Sequence, residues 1–132
     1  VQVFDSYGKE SIAEHDCGAI YQRWDPARGK GNEGYEGHTP KENASKPAGE
    51  WQSCDITFRA PRFDASGKKI ADAVLVTVVP NGKTIHENVP VTGPTRGSEF
   101  PDEVATGPVF IQGDHGPVAY RNLKITPLAG GS

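Results

Sequence analysis

Five polar side chains crowd one short stretch near the end of the chain: Gln112, Asp114, His115, Arg121 and Asn122. A histidine beside a carboxylate can act as a general base near neutral pH. The same two residues, Asp114 and His115, could instead give two ligands to a divalent cation. The plain alternative is that Asp114 caps a tight turn and His115 bonds nearby backbone. Arg121 offers a planar fork of donors suited to a polyhydroxylated or keto sugar, and an ion pair at a sheet edge explains it equally. Gln112 and Asn122 carry amides that can hold hydroxyls. Tyr21, Trp24 and Trp51 could stack on sugar rings. Trp24 lies in a polar loop and is the better platform, whereas Trp51 starts a strand and reads as core. Of the other histidines, His86 alternates with Ile85 and falls on an open face, His38 reads as a solvated loop residue, and His15 has no spacing that names a metal.

These residues need elements to hold them. Residues 109–112 alternate, with Val109 and Ile111 on one face and Phe110 and Gln112 on the other. In the following run Val118 and Tyr120, then Leu123 and Ile125, are apolar, so the phase slips by one residue at Arg121–Asn122. A paired strand absorbs such a slip through a bulge. The connection Gly113-Asp114-His115-Gly116-Pro117 is a turn that presents polar side chains. Earlier, 1–5 and 18–22 read as strands, and 23–50 loses all periodicity, as a functional loop or a solvated insertion would. Asn43-Ala44-Ser45 matches a glycosylation sequon, a tripeptide that also occurs often by chance. In 51–59, Cys54, Ile56 and Phe58 make an apolar face opposite Asp55, Thr57 and Arg59. The run 73–79 is apolar almost throughout, the mark of a central strand. Asn81-Gly82 gives the strongest hairpin signal, turning into 84–89. Residues 90–106 read as loop. Short strands separated by turn signals predict an all-β antiparallel sandwich or jelly roll.

Composition narrows the rest. A chain of 132 residues with 35% hydrophobic content forms one domain. The expected unit is a single β-sandwich over 1–128, with 129–132 as a tail or linker remnant. A net charge of −3 and scattered basic residues argue against a nucleic-acid partner, and no stretch has the length of a membrane-spanning helix. With no methionine anywhere, the chain reads as processed, a fragment or an excised domain. The two cysteines, Cys17 and Cys54, are too few for a zinc or redox motif. In an oxidising compartment they would pair as a disulfide, and in a reducing one they would be two buried thiols.

The turn and the strand after it resemble the C-terminal signature of the family named for 3-keto-disaccharide hydrolases. There a Gln-Asp-His-Gly turn precedes an aromatic-Arg-Asn strand. VQVFDSYG (1–8), CGAIY (17–21), NASKPAGEW (43–51), DITFRAPRFD (55–64) and NGKTIHENV (81–89) resemble successive parts of the same domain. Here Gly113 separates Gln112 from Asp114, where the commoner pattern runs Gln-Asp-His directly. The family's first strands and an Asn-Ser-Gly segment have no counterpart before Val1.

The resemblance implies a concanavalin-like jelly roll, here as a truncated sandwich, in a secreted or periplasmic protein. It implies cleavage of a glycosidic bond in a sugar oxidised at C3. His115 would be the base, Asp114 its orienter or a metal ligand, and Arg121 or a divalent cation the stabiliser of the enolate oxygen. Gln112, Asn122, Trp24 and Tyr21 would bind sugar. A carbohydrate partner is implied, and a homo-oligomer or second chain would complete the sandwich. The competing reading is a non-catalytic carbohydrate-binding module, since jelly rolls host lectins as readily as hydrolases.

Overall fold

The computed structural model describes residues 1–128, so the expected tail at 129–132 lies outside the described residues. Its strands are β1 (Arg23–Trp24), β2 (Gly34–Tyr35), β3 (Cys54–Arg59), β4 (Arg62–Phe63), β5 (Lys69–Ala71), β6 (Ala73–Pro80) and β7 (His86–Val91). Every pairing is antiparallel: β1 with β2, β4 with β5, and a three-stranded sheet in the order β3-β6-β7. Helical structure among the described residues is limited to a 3-10 turn at Pro26–Arg28, capped by the Asp25 carboxylate on the Ala27 N–H. The protein is all-β, of the antiparallel sandwich class.

The apolar run placed β6 correctly at the centre of its sheet. Asn81 and Gly82 form the expected hairpin turn, with φ of 50° and 80°, a geometry that asparagine and glycine adopt at little cost. Asn81 does more than turn the chain. Its Oδ1 accepts from Ser53 N–H at 3.0 Å and its Nδ2 donates to Ala44 O at 2.8 Å, so one side chain ties three segments. The core is small: Ile20, Leu75, Val78 and Ile85, with Ala44, Val89 and Val91 packed against it.

That core covers only the β6–β7 half of the sheet. Ile56 and Phe58 share a face with Val78 and Leu75 through their cross-strand pairing, yet both remain 48% exposed, because the described residues leave that face of β3 uncovered. Trp51, expected in the core, is also exposed.

The two late strands are not formed. Residues 109–112 and 118–125 make no strand pairing, and Val109, Phe110, Leu123 and Ile125 stand exposed. Alternation specifies which face would be buried, but a strand also needs a partner for its backbone groups. The phase slip at Arg121–Asn122 has a physical counterpart, since Asn122 sits in the left-handed region at φ 56°. It is a single reversed residue rather than a bulge in a ladder.

The N-terminal strands shrink in the same way. Residues 1–5 contribute only a short backbone ladder, Gln2 N–H to Ala19 O and Gly18 N–H to Gln2 O, each 2.8 Å. The 18–22 run keeps one bridge, Ile20 with His38. The 23–50 stretch is more ordered than its composition suggested. It holds the β1–β2 hairpin, and the Arg28 guanidinium lies 4.4 Å over the Tyr35 ring. Asn43 is bound within the protein, its Nδ2 donating to Ser6 O at 2.6 Å, so the nitrogen a glycan would need is engaged. β7 runs to Val91, past the expected end, and takes Pro90 because an edge strand need not donate there.

His86 is not on the open face. It is 4% exposed, and its Nε2 donates to Gly18 O at 2.8 Å. Ile85 precedes β7, so the two residues do not alternate within one strand, and both turn inward. Burial pushes the His86 imidazole below its ordinary pKa. The Gly18 hydrogen bond opposes this, while His38, the N-terminus and Lys41 add to the lowering. The unfolded chain therefore binds a proton first as pH falls, and stability declines with falling pH through the ordinary histidine range. The decline ends once the folded-state value is passed. Urea midpoints from roughly pH 7 to 5 should show this slope, and His86→Gln should flatten it. An equal slope in both proteins would overturn the assignment.

Candidate active site

The N-terminal ladder brings Gln2 and Val3 beside a residue far away in sequence. Gln112 Oε1 accepts from Val3 N–H at 2.7 Å, and Gln112 Nε2 donates to Gln2 Oε1 at 2.9 Å. From the other side Tyr120 O–H donates to Gln112 O at 2.6 Å, closing the two arms of the turn on each other. This frame holds the turn without strand pairing.

On it sit Asp114 and His115. His115 Nδ1 lies 2.6 Å from Asp114 Oδ1, closer than any other contact of that nitrogen, which puts the ring proton on Nδ1. Gln112 Nε2 is 2.9 Å from the same ring nitrogen, and its two protons serve Gln2 Oε1 and Asp114 Oδ1, the latter at 3.3 Å. In this tautomer His115 Nε2 carries a lone pair, and it makes no hydrogen bond among the described residues. The Phe4 ring meets the imidazole edge-on at 6.1 Å. The His115 hydrogen bond, and then that of Gln112, hold the Asp114 carboxyl below its usual range. Both residues are open to solvent, with side chains 40% and 77% exposed. The arrangement offers an oriented imidazole nitrogen to a molecule arriving from outside.

The other expected site residues are distributed differently. Gln112 positions the pair, and its amide is engaged by protein. Arg121 lies 3.8 Å over the Trp51 ring, in cation–π contact with it. Asn122 and Tyr21 make no side-chain hydrogen bond among the described residues. Trp24 lies elsewhere, under the Arg96 guanidinium at 3.8 Å, in a cavity that shares no residue with the turn. As for a cation, Asp114 and His115 are two donors, and among the described residues no group of three or more His, Cys, Asp or Glu converges. Cys17 and Cys54 carry free thiols. The Cys54 thiol is pushed up, first by enclosure of the sulfur and then by Cys17 as a neighbour. Gln2, Val3, Phe4 and Tyr120 were not legible as site residues. No local signal in the sequence links Gln2 to Gln112, 110 positions away.

A family model described as 3-keto-alpha-glucoside-1,2-lyase-like domain matches residues 1–126. No curated protein matches the chain, and no solved structure does. None of the described helical segments is long and apolar enough to cross a membrane.

Proposed function

The chain belongs to the 3-keto-alpha-glucoside-1,2-lyase-like domain family, and from that premise we propose that it cleaves the glycosidic bond of sugars oxidised at C3. The observation that carries this reading is the oriented Asp114–His115 pair, with Nε2 of the half-exposed ring unengaged among the described residues. A ketone at C3 acidifies the proton at C2. His115 Nε2 takes that proton and the C–H electron pair moves into the C2–C3 enolate. The enolate then collapses to restore the ketone and form the C1–C2 double bond, and the aglycone leaves from C1 with the glycosidic electrons and takes up a proton from the imidazolium or water. Addition of water at C1 of the enone then completes a net hydrolysis. Asp114 holds the ring in the required tautomer and stabilises the imidazolium that forms. Arg121, over the Trp51 ring, is the group proposed to meet the enolate oxygen, with Asn122 on a sugar hydroxyl. Incubation of the chain with a 3-keto glucoside should release aglycone at a rate proportional to protein. No release above buffer would sink the reading.

The openness of the turn favours a second reading, a carbohydrate-binding module without turnover. Saturable binding of the 3-keto glucoside with no release would select it.

We also propose that the uncovered apolar surface recruits a second copy of this chain. Ile56, Phe58, Val109, Phe110, Leu123 and Ile125 leave both a sheet face and unpaired backbone available. Sedimentation velocity should show concentration-dependent association, and a sharp monomer at high concentration would contradict it. A secreted or periplasmic location would bring Cys17 and Cys54 together as a disulfide. In that setting alkylation without reductant should leave the intact mass unchanged, and two alkylated thiols would refute the pairing.

A further inference from the structure

We propose that the cavity between β1 and the loop at 94–101 is a separate binding site for a carboxylate-bearing ligand no larger than one sugar ring. The cavity measures about 260 Å³ and is lined by Arg23, Trp24, Thr95, Arg96 and Ser98, with prolines at 94 and 101. That is below the roughly 300–1,000 Å³ of sites for larger ligands, so it suits a single ring.

Its charge is unbalanced. Arg96 stacks over Trp24 at 3.8 Å and has no ion pair among the described residues. A guanidinium over a ring face still has N–H donors to offer an acceptor. Arg23 faces the same space. Its Nη1 donates to Thr92 Oγ1 at 2.7 Å, and its Nε is buried without a partner. Among the described residues it pairs with Glu36, whose carboxylate oxygen lies 4.0 Å from Nη1, beyond hydrogen-bond range, so Arg96 is the cation left unpaired at the cavity. Glu99 and Asp102 flank the loop but do not line the cavity.

The cationic wall is built rather than incidental. Glu36 accepts from Thr92 N–H at 2.6 Å and from Thr92 Oγ1, and Thr92 in turn holds Arg23. Glu36 takes this place at φ 62°, a backbone region that non-glycine residues occupy at a cost and keep only when the surroundings over-determine it.

The same loop separates a carboxylate from a phosphate. Phosphate sites lean on successive free backbone N–H groups. Here two lining positions are proline, the Arg96 N–H donates to Gln22 O at 2.8 Å and the Ser98 N–H donates to Thr95 O at 3.1 Å, so the unengaged N–H groups of Thr95 and Gly97 are not successive. The donors left over are the Arg96 guanidinium, Nη2 of Arg23, the Thr95 hydroxyl and the separated N–H groups of Thr95 and Gly97, since the Ser98 hydroxyl donates to Phe100 O at 2.8 Å. The guanidinium groups match a planar carboxylate and the others ring hydroxyls. This inference stands on the cavity and not on the lyase reading.

The test is a binding titration followed by Trp24 fluorescence in a Trp51→Phe background, at constant ionic strength, with amide shifts of Arg96 and Ser98 as a second readout. Sodium glucuronate should give a saturable change in both readouts, and glucose should give none. Arg96→Gln and Arg96→Lys should each weaken glucuronate about tenfold or more, since lysine keeps the charge but not the stacked fork. No saturable response to glucuronate would overturn the proposal. So would an equal response to glucose or to inorganic phosphate, or unchanged affinity in Arg96→Gln. Turnover of a 3-keto glucoside plays no part in the readout, so failure of the lyase reading leaves this result independent.

Discussion

His115→Ala should lower release of aglycone from a 3-keto glucoside by about 10²–10⁴-fold, the range expected for loss of a positioned general base. The melting temperature should barely move. His115 stands on a solvent-facing turn and touches Asp114 and the edge of Phe4, so its removal should change stability by less than about 1 kcal/mol. Asp114→Asn should also impair turnover, because a neutral amide no longer selects the Nδ1 tautomer that leaves Nε2 as acceptor. A histidine that merely braced the turn predicts the opposite balance, with lower stability and unchanged turnover per folded molecule. His15→Ala is the suitable control, since that side chain is exposed and its carbonyl, which accepts from Gln2, is retained. His86→Ala is unsuitable as a control because it empties a buried position. Near-wild-type turnover in His115→Ala, measured on the same preparation as its melting curve, would remove the turn from the mechanism.

Gly18→Ala should destabilise the fold by about 2–4 kcal/mol through two additive causes. Gly18 lies at φ 84°, where an L side chain is strained. An added Cβ would also collide with Cδ1 of Ile85, and Ile85 belongs to the central packed cluster of the core. The isoleucine cannot swing away freely, because its neighbours there are Ile20, Leu75 and Val78. Ile85→Val removes the colliding atom at a modest cost of about 0.5–1.5 kcal/mol. The double variant should therefore be more stable than the sum of the single losses by about 1 kcal/mol. Urea unfolding of the four proteins measures that coupling. Additivity within roughly 0.3 kcal/mol would show that the collision is relieved elsewhere, leaving only backbone strain.

The central strand and its hairpin were legible because their causes are local. An unbroken apolar run marks a strand flanked on both edges, and Asn81-Gly82 meets a turn that requires positive φ at both residues. The late strands were misread for a related reason. The alternation in 109–112 and 118–125 is real, but pairing depends on a neighbour that the described residues do not supply. His86 shows how one residue of offset misleads. Ile85 and His86 look like alternating positions, yet only His86 belongs to the strand, and Gly18 O waits for its ring on the inner face.

From residue order alone came the all-β class, the hairpin at Asn81-Gly82, the family, and Asp114 and His115 as the pair to watch. Those follow from periodicity, backbone preference and short motifs, which act over a few residues. Tertiary structure decided everything that joins distant parts of the chain. It set Gln112 between Gln2, Val3 and Tyr120 as the frame of the turn, sent Arg121 to Trp51, and put Trp24 under Arg96 beside Arg23. A hydrogen bond or a cation over a ring needs atoms within a few ångströms, and no local pattern encodes which distant segment will arrive there.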